Sequence, residues 1–346
     1  MKIFVTGGCG FIGSNFILER ISNKKDIILN YDLLTYAGNL DNLSEIANQS
    51  EYIHIKGDIC DSEMVSDSIF NFKPDCIVHF AAESHVDRSI EIPSKFVNTN
   101  ILGTSNLLNA STAYWKNNKN FIFLHVSTDE VYGSLGKTGL FSEKSHYLPS
   151  SPYSASKASS DHLVRAWNKT YGLPVIVTNC SNNYGPYQFP EKLIPLMIAN
   201  CLDEKPLPVY GKGDNIRDWL YVKDHCRAID FALEKGLSGE TYCVGGNNEI
   251  KNIDIVNRIC TILDELRPRN NNLSYKKLIK NVPDRPGHDF RYAIDSSKIK
   301  ENLNWVAEET FESGILKTIT WYLDNEKWWR KIQKNTYKQE RIGLDL

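Results

Sequence analysis

Short apolar runs alternate with amphipathic stretches through the first half of the chain. Ile3-Phe-Val5, Ile27-Ile-Leu-Asn-Tyr31, Tyr52-Ile-His-Ile55, Cys76-Ile-Val-His-Phe80, Phe121-Ile-Phe-Leu-His-Val126 and Val175-Ile-Val-Thr-Asn179 are rich in β-branched and aromatic residues. Runs that are apolar almost throughout suit strands buried on both faces of a parallel sheet. Helical stretches separate them. Ser14 to Arg20 follows a glycine turn, Phe96 to Tyr114 reads as a helix with Asn98 and Thr99 near its start, and a third helix has Ser150-Ser151 to cap it and Pro152 at its first position. That third helix runs through Ala155, Ala158, Leu163, Val164 and Trp167 until Gly172 and Pro174 stop it. The alternation predicts an α/β fold, a doubly wound parallel sheet with right-handed crossovers.

Beyond residue 181 the alternation weakens, and Pro, Gly and basic residues recur at Lys192, Gly211 to Arg217 and Val282 to His288. Asp218-Trp-Leu-Tyr-Val222 and Glu240-Thr-Tyr-Cys-Val244 read as strands returning to the sheet, so a second, smaller domain is expected to interleave with the first. The expected boundaries are 1–180 for a dinucleotide domain with returning segments near 216–246, then 181–215 and 247–330 for a substrate domain, and 331–346 for a tail. Arg269-Asn-Asn-Asn272 reads as a loop.

Composition narrows the partners. Forty basic against 42 acidic residues give a formal charge of -2 over 346 residues, which carries no electrostatic footprint for nucleic acid and points to a small partner. The eight cysteines form no Cys-xx-Cys pair and sit mostly in or beside apolar runs, the usage of reduced thiols. Met1 leads straight into a strand, which predicts no signal peptide, and no apolar run reaches the length of a membrane span. A cytoplasmic location is therefore expected, where the Asn42, Asn168 and Asn272 sequons would not matter.

Gly7, Gly10 and Gly13 stand between the first strand and its helix, where glycines permit a tight turn and close approach of a pyrophosphate to the helix N-terminus. Asp32 ends the next strand, 19 residues past Gly13. A carboxylate there accepts hydrogen bonds from an adenosine ribose and repels a 2′-phosphate, which favours NAD over NADP. Asp58 follows the third strand and could meet the adenine edge. Ala81 and Ala82 let a cofactor pass close to the backbone, and read equally as ordinary packing. His85 and Asp87 lack the further ligands a metal site needs.

Thr128, Asp129 and Glu130 fall at the carboxyl end of the fifth strand, where open α/β sheets hold their ligands. Tyr153 and Lys157 are four apart and share a helix face, so an ammonium beside the phenol could lower its pKa of about 10. On spacing alone the Tyr-Lys pair also fits a plain solvated helix, and Asp129-Glu130 reads first as the acidic cap of a helix. Arg217 and Arg285 could fork onto a diphosphate, although isolated arginines are commonly solvated.

Taken jointly, the glycine turn, Asp32 and Tyr153-xxx-Lys157 resemble the extended short-chain dehydrogenase/reductase superfamily. Longer stretches resemble its dTDP-glucose 4,6-dehydratase family: Asp32-Leu-Leu-Thr-Tyr-Ala-Gly38, Ala81 to Ser89, Ser127-Thr-Asp-Glu-Val-Tyr-Gly133, Ser150 to Asp161, Asn179 to Tyr187, Arg217-Asp-Trp-Leu-Tyr221 and Asp284-Arg-Pro-Gly-His288. The loop between Gly133 and Ser150 looks shorter than in some relatives, and Cys9 stands where the family often has Ala.

The resemblance implies a Rossmann-type fold and conversion of dTDP-glucose to dTDP-4-keto-6-deoxyglucose. Tyr153, supported by Lys157, would take the C4 hydroxyl proton as hydride passes to NAD, with Thr128 on the same oxygen. Glu130 would remove the C5 proton, a protonated Asp129 would release the C6 hydroxyl as water, and hydride would return to C6. NAD would be held by Gly7, Gly10, Phe11, Ile12, Gly13, Asp32, Leu33, Thr35, Asp58, Ile59, Ala81, Ala82, Thr99, Tyr153, Lys157 and Asn183. The nucleotide sugar would meet Ser84, Thr128, Asn182, Lys192, Leu193, Pro208, Tyr210, Arg217, Asn252, Arg285 and His288. A homodimer is implied, packed as four helices through those beginning near Phe96 and carrying Tyr153. The alternatives are a UDP-sugar 4,6-dehydratase, a 4-epimerase, and a non-catalytic NAD sensor.

Overall fold

The computed structural model describes residues 1–24, 26–284, 287–335 and 337. Its strands are β1 (Lys2–Thr6), β2 (Ile27–Asp32), β3 (Tyr52–Lys56), β4 (Cys76–His79), β5 (Ile122–Thr128), β6 (Val175–Cys180), β7 (Asn182–Tyr184), β8 (Leu207–Tyr210), β9 (Ile216–Tyr221), β10 (Thr241–Val244), β11 (Glu249–Lys251) and β12 (Ile279–Val282). Seven of them form one sheet in the order β10-β6-β5-β4-β1-β2-β3, every pair parallel. The helices are α1 (Phe11–Lys24), α2 (Ser62–Phe72), α3 (Val86–Glu91), α4 (Pro93–Phe96), α5 (Thr104–Trp115), α6 (Pro152–Tyr171), α7 (Leu193–Leu202), α8 (Val222–Lys235), α9 (Asn252–Leu266), α10 (Ser297–Leu303), α11 (Phe311–Asp324) and α12 (Glu326–Asn335).

Continuous apolar strands are explained by helices on both faces, since successive side chains point to opposite sides. Ile3, Val5, Leu124, Val126 and Ile176 join one core with residues of α1, α8 and α10, including Trp305 just after α10. Phe4, Phe123, Val175 and Val177 join the other with residues of α2, α5 and α6. The strand order reverses direction of growth between β1 and β4, so the crevice for a ligand opens at the carboxyl ends there.

Helix α6 starts as its sequence predicts. Ser151 caps it with its side chain on the Ser154 amide, Pro152 occupies the first turn, and Gly172 ends it in the left-handed conformation. The helix expected from Phe96 begins earlier, at Pro93 in α4, and passes through a π-helical turn at Val97–Gly103 before α5.

One strand lies elsewhere than expected. Thr241–Val244 does return to the sheet, beside β6. Ile216–Tyr221 does not: β9 pairs parallel with β7 and antiparallel with β11 in a separate three-stranded sheet. The edge beside β6 has room for one neighbour and β10 takes it. Asp218 of β9 instead ties down the turn after β10, its carboxylate accepting the amides of Gly246 at 3.0 Å and Asn248 at 2.8 Å. A third core gathers residues of α7, α9, α11 and α12 around β8 and β9, with Trp329 fully buried.

Candidate active site

The glycine turn is forced by what crosses it. Gly7 has φ of 71°, and a Cβ there would lie 2.6 Å from the Ala81 amide nitrogen. A Cβ on Gly13 would lie 2.5 Å from the Gly7 carbonyl oxygen. Any side chain would therefore part β1 from the loop after β4 or unwind the first turn of α1. Asp32 braces this turn: Oδ2 accepts the Cys9 amide at 2.8 Å and Oδ1 the Leu34 amide at 2.8 Å. Burial raises its carboxyl pKa, and these two amide bonds oppose the rise.

Above the turn lies a cavity of about 340 Å³. Gly7, Gly10, Phe11, Ile12 and Gly13 form one wall; Asp32, Leu33 and Thr35 follow from the end of β2, and Asp58 and Ile59 from the end of β3. Ala81 and Ala82 lie beyond β4, Thr99 comes from the π-helical turn, and Asn183 from β7. Every residue expected to hold a dinucleotide thus lines one elongated cleft, and the donors fit that group: a glycine cradle at a helix N-terminus and a carboxylate at the end of β2. Asn183 is oriented by the buried His225, whose Nδ1 is 2.9 Å from its Oδ1.

The reactive groups meet on the floor of this cleft. Thr128 ends β5 and caps a single turn, Asp129–Tyr132, its hydroxyl accepting the Glu130 amide at 3.3 Å. Asp129 is 1% exposed, and its Oδ2 bonds to nothing among the described residues. Burial first, then Glu130 and Asp218, push its carboxyl well above the usual range, against the pull of Arg217. Adjacent carboxyl groups therefore stand in different surroundings, since Glu130 is only half-buried. Asp129 and Glu130 form the first turn that Thr128 caps, and both line the cleft.

Tyr153 and Lys157 point into the same cleft from α6 and are nearly fully buried. Burial works against the lowering of the phenol expected from Lys157. Burial, then Glu130 and Cys180, push the Tyr153 pKa well above 10, and only the hydrogen bond with Thr128 favours the phenolate. Lys157 is engaged elsewhere, its Nζ donating to the Val126 carbonyl at 2.9 Å. Burial also lowers the ammonium's own pKa.

A second cavity, about 250 Å³, adjoins the first. Ser84, Glu130, Asn182, Glu191 and Lys192 line both, so Glu130 stands at their junction. Leu193, Pro208, Tyr210, Arg217, Asn252 and His288 line the second, as expected of residues for a nucleotide sugar; Arg285 lies outside the described residues. Arg217 is 5% exposed and donates to the carbonyls of Ile216, Phe290 and Asp289 at 2.8, 3.3 and 2.9 Å, with Tyr292 stacked 4.2 Å beneath it. The isolated arginine of the sequence is thus a built one. Lys192 reaches the Ser84 carbonyl at 3.0 Å, Tyr210 the Asp87 carboxylate at 3.3 Å, and His288 the Asp284 carboxylate at 2.6 Å. Buried Oδ1 atoms of Asn182 and Asn252 make no hydrogen bond among the described residues.

Sequence reasoning missed several walls of this cavity: Asp87, Glu191, Trp219, Tyr292 and Tyr337. Tyr337 belongs to a tail that carried no signal, yet it packs on Phe189 at 6.1 Å between ring centres. Glu191 accepts from the Tyr36 hydroxyl at 2.9 Å and pairs with Arg88 at 3.2 Å. Its place beside the basic Lys192 was the available hint.

A family model described as GDP-mannose 4,6 dehydratase matches residues 4–318. The dTDP-glucose 4,6-dehydratase of Neisseria meningitidis serogroup B is 56% identical over 350 residues, covering 99% of each chain. Among solved structures, the dTDP-glucose 4,6-dehydratase of Bacillus anthracis in complex with NAD is 48% identical with a TM-score of 0.86, over 96% of this chain and 99% of that one. The Streptomyces venezuelae enzyme of the same name, also with NAD bound, is 42% identical with a TM-score of 0.89, over 96% and 100%.

Proposed function

The chain belongs to the dTDP-glucose 4,6-dehydratase family of the extended short-chain dehydrogenase/reductase superfamily, and on that premise we propose the following division of labour within its two cavities. The enzyme is an NAD-dependent hydro-lyase that turns dTDP-glucose into dTDP-4-keto-6-deoxyglucose. The cofactor, when bound, accepts hydride from C4 and returns it to C6, so no net reductant is used.

The chain's own residues handle the protons. Tyr153 takes the proton of the C4 hydroxyl while Thr128 holds the same oxygen, and the ketone that results acidifies the C5 proton. Glu130 removes that proton from the junction of the two cavities. Asp129 donates to the departing C6 hydroxyl. The single observation that carries this reading is the split between neighbours: Asp129 is buried and held toward its protonated form, while Glu130 is partly open. A 4-epimerase needs only the C4 step and would have no task for either carboxyl.

The nucleotide lies in the second cavity, with Lys192 and Arg217 toward its diphosphate and Tyr210, Asn252 and His288 around the rest. Residues 1–180 with the segment near 216–246, β9 excepted, act as the cofactor unit, and 181–215, β9 and 247–330 as the sugar-nucleotide unit. Among the described residues no helix is long and apolar enough to cross a membrane, and we place the enzyme in the cytoplasm. Exposed Ile92, Val97 and Leu102 before α5, at 50% or more, and Tyr171 at the end of α6 at 54%, support a homodimer packed through these helices.

Mass spectrometry of the protein incubated with NAD and dTDP-glucose, with UDP-glucose in parallel, tests the reaction. Loss of one water from the dTDP-sugar without net NADH is expected. Water loss only from the UDP-sugar would change the substrate, and a galactose product without water loss would replace the mechanism.

A further inference from the structure

The ammonium of Lys157 is 4% exposed, on the floor of a cleft between a sheet and a helix. A buried cation without a counterion gives up its proton. The Val126 carbonyl supplies one hydrogen bond but no net charge.

One turn further along α6, Asp161 is fully buried and gripped from three directions. Its Oδ2 accepts from the Tyr147 hydroxyl at 2.7 Å and from Asn179 Nδ2 at 3.0 Å. Its Oδ1 lies 3.2 Å from Nε2 of His125. His125 and Val126 are consecutive in β5, so the groups that hold Asp161 and Lys157 stand side by side under one face of α6. We propose that Asp161 is the counterion that keeps Lys157 charged and aimed, which makes it a positioning residue for the Tyr153–Lys157 pair. The role rests on the catalytic reading above and adds a residue to it.

The remaining groups around the two leave Asp161 as the anion. From β4 comes His79, its Nδ1 at 2.7 Å from Thr6 Oγ1 and its Nε2 at 3.0 Å from Thr104 Oγ1. From β5 comes His125, from β6 Cys180, from the loop before α6 Tyr147, and from α6 itself Arg165, whose Nη2 reaches the Tyr147 hydroxyl at 2.5 Å. Burial, then the neighbouring Lys157, lowers His125 to about 4, so it is neutral; burial pushes the Cys180 thiol up, out of the range where it ionises. Burial would raise Asp161, but the His125 hydrogen bond, then the Lys157 and Arg165 charges, hold it at about 2.

The test is the pH profile of turnover. Asp161→Asn is expected to move the alkaline limb to lower pH by about one unit or more, because Lys157 then loses its proton earlier. Asp161→Glu restores part of the shift, and Tyr147→Phe, which removes one grip but no charge, lowers the melting temperature and leaves the limb in place. An alkaline limb unmoved in Asp161→Asn overturns the proposal, however much stability is lost. A second measurement needs neither substrate nor the single Asp161 variant: at pH 7, Lys157→Met/Asp161→Asn should melt above Lys157→Met, since the double change removes a buried carboxylate that no longer faces the Lys157 cation. A double variant that melts at or below the single one overturns the pairing. Because that comparison involves no turnover, it separates failure of this inference from failure of the proposed reaction.

Discussion

The Cys9 amide donates to Oδ2 of Asp32 across 2.8 Å, which ties the glycine turn after β1 to the end of β2. One carboxylate thus holds the cradle closed with one oxygen while the residue as a whole lines the cleft. The shape of the turn and, in the proposed reading, the choice of NAD over NADP rest on the same side chain.

Asp32→Ala should therefore weaken NAD binding by on the order of tenfold to a hundredfold, the usual worth of one or two charged hydrogen bonds. NADP, no longer repelled, should lose far less. Titration calorimetry with both dinucleotides checks this; equal losses for the two would refute a ribose-reading role.

Replacing the proposed acid separates the steps of the reaction. Asp129→Asn should retain slow C4 oxidation, visible as transient NADH absorbance on rapid mixing. Water loss should fall by on the order of a hundredfold to ten-thousandfold. Undiminished water loss would remove Asp129 from the mechanism.

The same residue makes a stability prediction whose sign follows from its raised pKa. The folded protein binds the Asp129 proton more tightly than the unfolded chain does, so the residue's contribution is fully present below the ordinary carboxylate range and is lost as pH rises toward its folded pKa. Asp129→Asn, neutral at all pH, should gain melting temperature relative to the parent between pH 4 and pH 8. A gap that shrinks over that range contradicts a carboxyl that burial holds protonated.

Tyr337 tests whether the end of the chain contributes to the nucleotide cavity it lines. Tyr337→Ala should raise KM for the nucleotide sugar severalfold, with kcat within about twofold, as expected for binding felt equally in ground and transition states. An unchanged KM would confine the residue to packing on Phe189.

Much of the fold could be read along the chain because its signals are local. Apolar runs in β1, β4, β5 and β6 report burial on two faces, and Ser151, Pro152 and Gly172 mark both ends of α6 within a few residues of each other. Glycine spacing and the position of Asp32 after β2 determined the dinucleotide cleft, since only the sterics of one turn and one strand end are involved. What the tertiary structure alone decided depends on residues far apart in sequence. Whether β9 or β10 takes the edge beside β6 is a competition between segments far apart in sequence; β10 takes it, and Asp218 of β9 anchors Gly246 and Asn248 just beyond it. That Tyr337 and Glu191 share a wall, and that Lys157 turns toward the Val126 carbonyl while burial raises the phenol of Tyr153, are matters of packing and desolvation. A Tyr-xxx-Lys spacing brings two side chains onto one face; it cannot say how dry that face becomes, and dryness sets the charges.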